Sequence, residues 1–135
     1  MKKNLPITNQ EIRLKEQDVI ISTTDLKGLL TYFNQSFLKI SGFTADKLIG
    51  KSHNIIRHPD VPVAIFADLW KQIQAGKTWQ GIIKNRCQNG DHYWVEAFVT
   101  PIVIDKKRVG YQSVRSCPSD EQIRQAQQLY NSLQP

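Results

Sequence analysis

The densest run of polar side chains in the chain is His53-Asn54-Ile55-Ile56-Arg57-His58-Pro59-Asp60. Proline at 59 biases His58 away from helix, so a short helix must break there and another restart at Asp60. A break of this kind exposes backbone amides and sets Arg57 and His58 at a mouth where a phosphate or an adenine can bind. Asp60, before Val61-Pro62, also suits a helix start, because its carboxylate accepts from free amides and proline is tolerated at an opening position. A second constellation begins at Trp79. Strand alternation puts Trp79, Gly81, Ile83, Asn85 and Cys87 on one face and Gln80, Ile82, Lys84 and Arg86 on the other, with the first face buried. Asn85 is then an amide among apolar neighbours, costly unless its donors and acceptor find partners. Those partners are either neighbouring backbone or the edge of a planar heterocycle. Trp79 is in turn either core packing or, beside Gly81, a wall that leaves room for a flat ligand.

Other chemistries have less to stand on. His53, His58 and His92 offer imidazoles for haem iron or zinc, but no His and Cys spacing forms a recognised ligand set, and His92 is expected to be exposed beside a turn. No Ser, His and Asp arrangement and no glycine-rich phosphate loop is present. Cys87 and Cys117 form neither a disulfide framework nor a Cys-x-x-Cys pair, so both are expected to be free thiols. A module that binds a cofactor fits this inventory better than an enzyme working through its own side chains.

The elements that must position these residues are those of one small domain, since 135 residues and 15.5 kDa cannot build two good cores. No run approaches the roughly 20 apolar residues of a membrane span, and the expectation is a cytoplasmic domain without direct membrane insertion. The net charge of +6 permits nucleic acid or phosphate as a partner. Its bases are spread singly, however, apart from Lys106-Lys107-Arg108, which reads as a solvated turn, and no nucleic-acid partner is expected. The stretch from Lys51 to Arg86 holds six bases against Asp60 and Asp68, a balance suited to a phosphate-bearing small ligand.

Residues 1–17 are polar without sustained periodicity and read as a mobile arm or a short helix packed from outside. Val19 to Thr24 and Leu29 to Phe33 form a hairpin through Asp25-Leu26-Lys27-Gly28. Asn34 caps a short helix that Gly42 ends, and Thr44 caps another that Gly50 ends. Phe66, Leu69, Trp70 and Ile73 mark the one long middle helix, ending at Gly76. Three antiparallel strands follow, Trp79 to Cys87, Tyr93 to Ile104 and Val109 to Arg115. Within 118–135, Ser119 starts an exit helix with Ile123, Ala126, Gln127 and Tyr130 along one stripe. The fold class is α+β, a five-stranded antiparallel sheet over 18–117 with short helices and one longer helix over one face.

With these elements in order, the chain resembles the PAS sensor domains, in particular the FAD-binding PAS domains of bacterial aerotaxis receptors. The segments that carry the resemblance are Ser22-Thr23-Thr24-Asp25-Leu26, Ser41-Gly42-Phe43-Thr44, the run His53 to Asp60, Phe66 to Trp70, and Lys84 to Val95 with its Asn-Gly-Asp-His-Tyr-Trp turn. It implies a redox or oxygen-responsive sensor for energy taxis that holds FAD between sheet and short helices and passes its signal to a chemotaxis transducer. It implies FAD contacts at Arg57, His58, Asp60 and Trp79 and a signalling role at Asn85; His53, Asn34 and Arg115 complete the candidate cofactor set. Photosensory PAS relatives place a flavin-contacting asparagine five residues before the turn glycine, as Asn85 stands before Gly90. Their second flavin asparagine and last-strand glutamine are replaced here by Val95 and, approximately, Arg115, so the ring must be held differently. Their adduct cysteine belongs where Asn54-Ile55-Ile56 stands, and light-driven adduct chemistry is not expected. The membrane anchor and signalling region of aerotaxis receptors are not within these residues, so an excised sensor domain or a stand-alone protein is expected, with a homodimer allowed. The alternatives are a PAS domain sensing through haem or another small ligand, or a small flavin enzyme, for which no nicotinamide-binding fingerprint is present.

Overall fold

A computed structural model describes residues 4–133. Five strands, β1 (Val19–Thr24), β2 (Leu30–Phe33), β3 (Trp79–Arg86), β4 (His92–Ile104) and β5 (Lys107–Ser116), form one antiparallel sheet in the order β2-β1-β5-β4-β3. Between β2 and β3 lie α1 (Gln35–Ser41), α2 (Ala45–Leu48), a 3-10 turn (His53–Ile56) and α3 (Val63–Gln74). The exit helix is α4 (Asp120–Leu133). This is the expected five-stranded α+β architecture, with the cores of both hairpins where alternation put them.

Local chemistry explains the joints. Asp25 Oδ1 accepts from the amides of Lys27 and Leu29 and closes the first hairpin. Gly28 ends that turn at φ +86, and a Cβ there would lie 3.1 Å from the Trp70 ring, so both conformation and close approach require glycine. Asn34 caps α1 as expected, its Oδ1 accepting from Phe37 N at 3.1 Å, and Gly42 closes it in the left-handed region. Thr44 stands at the start of α2 without a side-chain cap bond. Asp105 and Lys106 both take positive φ, the two-residue turn that matches strand twist between β4 and β5.

Four local expectations are corrected. The middle helix starts at Val63 with Pro62 before it, and Asp60 caps nothing, because its carboxylate pairs with Lys84 Nζ at 2.8 Å. Within the basic triplet, Arg108 is no solvated turn residue: its Nη1 donates to Gln74 O at 2.5 Å and holds the C-terminal carbonyls of α3. The arm, over its described residues 4–17, is not helical. It runs extended along the sheet edge, with Ile12 N donating to His92 O and His92 N to Gln10 O, and it buries Leu14. Its carbonyls at Leu5 and Pro6 take the guanidinium of Arg86, which is why the nominally outward Arg86 is only 6% exposed. His92, expected to be exposed, packs its ring edge-on against His58 with centroids 5.9 Å apart. Residues 1–3 of the expected arm and 134–135 of the expected exit helix lie outside the described residues.

The sheet therefore has two covered faces. The 3-10 turn and α3 lie over the face bearing Asn85. On the other face, α4 sets Tyr130 against Trp94, ring centroids 5.6 Å apart, and its hydroxyl donates to Ile82 O at 2.8 Å. Ser119 and Gln122 open α4 with a reciprocal capping box, Oγ to amide and amide to Oε1. Among the described residues, no helix is long and apolar enough to cross a membrane.

Candidate functional site

Between the Asn85 face of the sheet and the helices lies a cleft of about 710 Å³, counted to its open mouth. Alternation builds its floor. Ser22 and Thr24 of β1, Ile83 and Asn85 of β3, Ala97 and Val99 of β4, and Tyr111, Ser113 and Arg115 of β5 all point inward because register pairs Ser22 with Ser113 and Ala97 with Arg115. Phe66, Leu69, Trp70 and Ile73 of α3 make the apolar roof, and His53, Asn54, Ile56 and Arg57 make one end. Gly28 lies at the wall, where its missing Cβ admits Trp70.

The segment after the 3-10 turn is extended, and Arg57 bridges to Asn85 as an antiparallel pair. Paired residues share a side, so Arg57 joins Asn85 in the cleft, with its Cζ 4.1 Å from the Phe66 ring centroid, while His58 turns to the opposite side. There His58 Nδ1 accepts from Asp60 N at 3.0 Å, next to His92, Lys84 and Arg86. Burial and the Lys84 charge push the His58 imidazole down to about 4. Asp60 sits with Lys84, Trp94 and Tyr130 around a separate groove, its carboxyl held low by the hydrogen bond from Lys84 despite partial burial.

Inside the cleft the polar groups form one connected set. Arg115 Nη2 donates to Ser22 Oγ at 2.8 Å, and Ser22 Oγ is 3.2 Å from His53 Nε2. The serine oxygen accepts from the guanidinium and stands within hydrogen-bond distance of the imidazole. Burial, with the nearby Arg115 charge, pushes His53 down to about 3, so the ring is neutral. Arg115 also lies over the Phe37 ring, Cζ to centroid 4.9 Å. Asn85 Nδ2, Arg115 Nε and Arg115 Nη1 are buried and have no hydrogen-bond partner among the described residues. Among the described residues, no carboxylate lines the cleft.

Of the eight candidate residues, the structure brings together His53, Arg57, Asn85 and Arg115 on the cleft wall. Four stand elsewhere. Asn34 spends its side chain on Phe37 N, Ile21 N and Val19 O; His58 and Asp60 lie on the other side of the β3 edge. Trp79 is 7% exposed and its Nε1 donates to Asp68 Oδ2 at 3.0 Å. A Cβ at Gly81 would fall 2.3 Å from the Trp79 ring, so the indole itself fills the space that glycine vacates. The room beside Gly81 is therefore taken by the protein. The wall residues missed from sequence, Ser22, Tyr111 and Ser113, were signalled by period-two alternation on β1 and β5.

The cleft can do one thing well: present hydrogen-bond donors and positive charge to a flat acceptor-rich group held between apolar surfaces. Comparison with known proteins supplies its context. The PAS fold family matches residues 30–115. The aerotaxis receptor of Escherichia coli (strain K12) is 44% identical over 94% of this chain, which covers 25% of that receptor. The nitrogen fixation regulatory protein of Klebsiella pneumoniae is 24% identical over 67% of the chain and 18% of the relative. The chain thus spans about a quarter or less of these relatives' length. Among solved structures, the dark state of the blue-light photoreceptor Aureochrome1 LOV superposes with a TM-score of 0.71 at 22% identity, over 84% of this chain and 83% of that one. A light-oxygen-voltage domain studied with a flavin analogue gives 0.71 at 17% identity, over 88% and 90%. With the sheet order, the helices over the Asn85 face and the cleft between them, the chain belongs to the PAS fold family.

Proposed function

We propose that this PAS domain binds FAD and reports redox state or oxygen as the sensory part of an energy-taxis receptor. One observation carries the reading furthest. Among the described residues, Asn85 and Arg115 on the cleft wall carry buried donors without a hydrogen-bond partner, and no acidic group lines the cleft. Buried donors left unpaired cost about 1–3 kcal/mol each, more when charged. A ligand with carbonyls and ring nitrogens along one planar edge satisfies them, and the isoalloxazine of a flavin is such a ligand. Phe66, Leu69 and Trp70 supply the apolar surface for its rings. Arg57, at the end of the cleft, suits a phosphate at its mouth. The likeness to the E. coli aerotaxis receptor, at 44% identity, supports the taxis role, and a domain titled for a flavin analogue shares the fold.

The redox chemistry belongs to the flavin; the protein binds it, orients it and sets its electrostatics. Asn85, near the end of the edge strand β3, can change partners when the ring gains charge or a proton, since it holds two donors and one acceptor. Its neighbours on the opposite face of β3 and β4 are the groups on which α4 rests, so a changed strand position reaches the exit helix. The downstream partner is then the remaining part of a longer receptor or a separate chemotaxis transducer, at the cytoplasmic side of the membrane.

The test is an absorption spectrum of purified protein after reconstitution with FAD and FMN together, followed by denaturation and chromatography of the released ligand. Flavin bands with FAD released are expected. FMN released alone would correct the cofactor, a Soret band would favour haem, and no retained chromophore would overturn the reading.

A further inference from the structure

We propose that the arm over residues 4–14 is a pH-sensitive latch, docked while His58 and His92 are neutral and released when protons reach them. The inference stands apart from the flavin reading. Its ground is the way the arm is fastened. Asn4 Nδ2 donates to Asn54 O at 2.8 Å and to Arg57 O at 2.9 Å, so the arm grips the peptide group that leads into His58. Leu5 and Pro6 give their carbonyls to Arg86, Thr8 N donates to Gly90 O at 2.8 Å, and residues 10–12 bond to the backbone of His92. These fastenings flank the two histidines, whose rings meet edge-on with centroids 5.9 Å apart.

The docked arrangement has no good place for a second proton on either ring. His58 Nδ1 accepts from Asp60 N at 3.0 Å, so the proton of the neutral ring sits on Nε2, which is buried without a hydrogen-bond partner among the described residues. A proton added at Nδ1 displaces the Asp60 amide. Asp60 Oδ2 stands 3.7 Å from that nitrogen, but it already takes Lys84 Nζ at 2.8 Å. His92 Nδ1 is likewise buried and unpartnered among the described residues. From β3 the cations Lys84 and Arg86 face the pair, while Glu11 of the arm faces His92 and Asp60 faces both rings. Beyond Lys84, α4 contributes Tyr130, whose phenol burial keeps protonated. Burial holds both imidazoles below their ordinary range, and lifting the arm lets water reach them. An imidazole in water titrates near 6.5. Below that pH the released form binds protons that the docked form refuses, so docking is firm above pH 7 and weakens as pH falls. Since Asn4 grips Arg57 O, release also loosens the end of the cleft where Arg57 lies.

The experiment is hydrogen exchange resolved amide by amide on the full chain at pH 7.5 and 5.5, each rate divided by that of an unstructured peptide at the same pH. The amides of Thr8 and Ile12 report the latch, and those pairing β4 with β5 report the whole fold. Protection at Thr8 and Ile12 is expected to fall about tenfold or more at pH 5.5, the factor by which one imidazole restored to 6.5 favours release. It is expected to stay below that of the β4–β5 amides, which marks a local opening. In a double variant, His58→Gln with His92→Gln, the ratio between the two pH values is expected to stay near one, and in each single variant to lie between. Equal protection of the parent at both pH values overturns the proposal. So does protection at Thr8 and Ile12 equal to that of the sheet at pH 5.5, because the arm then leaves only with the whole fold. A fall in the double variant as large as in the parent overturns it too, since another group then takes the proton. If the double variant does not fold, the single variants decide by the same ratio.

Discussion

A single amide shows how this site separates stability from function. Asn85 is 4% exposed and its Nδ2 makes no hydrogen bond among the described residues, so the flavin-free domain carries an unsatisfied donor near the end of β3. Groups of this kind persist where a ligand completes them, at the expense of the empty fold. Asn85→Ala removes the orphaned donor along with a few atoms of packing, and the two effects oppose each other. The flavin-free variant is expected to match the parent within about 1 kcal/mol in urea unfolding, because losing an unpaired buried group offsets the small cavity. Its flavin content after equal reconstitution is expected to fall severalfold, read from the ratio of visible to ultraviolet absorbance. A variant strongly destabilised yet fully loaded would show that Asn85 is a packing residue. Trp79 argues the other way: its indole, tied to Asp68 and seated on Gly81, shapes the core beside the cleft and touches a ligand only through its neighbours.

Among the elements, α4 is held by few contacts, and Tyr130 is the chief of them. Its hydroxyl donates to a carbonyl of β3 and its ring stacks against Trp94. Tyr130→Phe keeps the ring and deletes one hydrogen bond to a carbonyl otherwise shielded by the helix, so a loss of about 1 kcal/mol in α4 docking is expected. Hydrogen exchange over 120–133 should then speed about fivefold while the sheet is unchanged; equal exchange would show that the ring alone secures the helix. The elements themselves were legible in the sequence because each end carries its own chemistry: Asn34 and Gly42 around α1, Asp25 and Gly28 in the first turn, Ser119 before α4. What was not legible is where a versatile side chain spends itself. Asp60 looks like a cap until Lys84 is brought beside it from β3, and Arg108 looks solvated until the end of α3 arrives above it. The cleft was half legible for the same reason. Alternation assigns Asn85 inward, but only the backbone bridge from Arg57 to Asn85, formed across separate elements, decides that Arg57 faces the cleft and His58 leaves it.

For the whole molecule, the histidines set the conditions under which the fold holds together. His53 joins the cleft to β1, and His58 with His92 fills the space between β3, β4 and the arm, whose residues 10–12 bond to His92 backbone. Burial lowers all three imidazoles, His53 to about 3 and His58 to about 4, with Arg115 or Lys84 adding repulsion. In the unfolded chain the same groups titrate near 6.5. Between the folded and unfolded values the unfolded chain binds more protons, so stability rises with pH across that window and is lost as pH falls from about 6.5 toward 4. For His53 and His58 together, moving from pH 7 to pH 5 is expected to remove roughly 2–4 kcal/mol. That is a sizeable share of what a domain of this length possesses. Urea titrations at the two pH values measure it directly. His58→Gln, which cannot gain a proton, should lose noticeably less stability over the same interval than the parent, whatever its stability at pH 7. Equal stability of the parent at pH 7 and 5 would mean that the imidazoles take up protons in the folded state without resistance, and the buried neutral cluster under the arm would have to be abandoned.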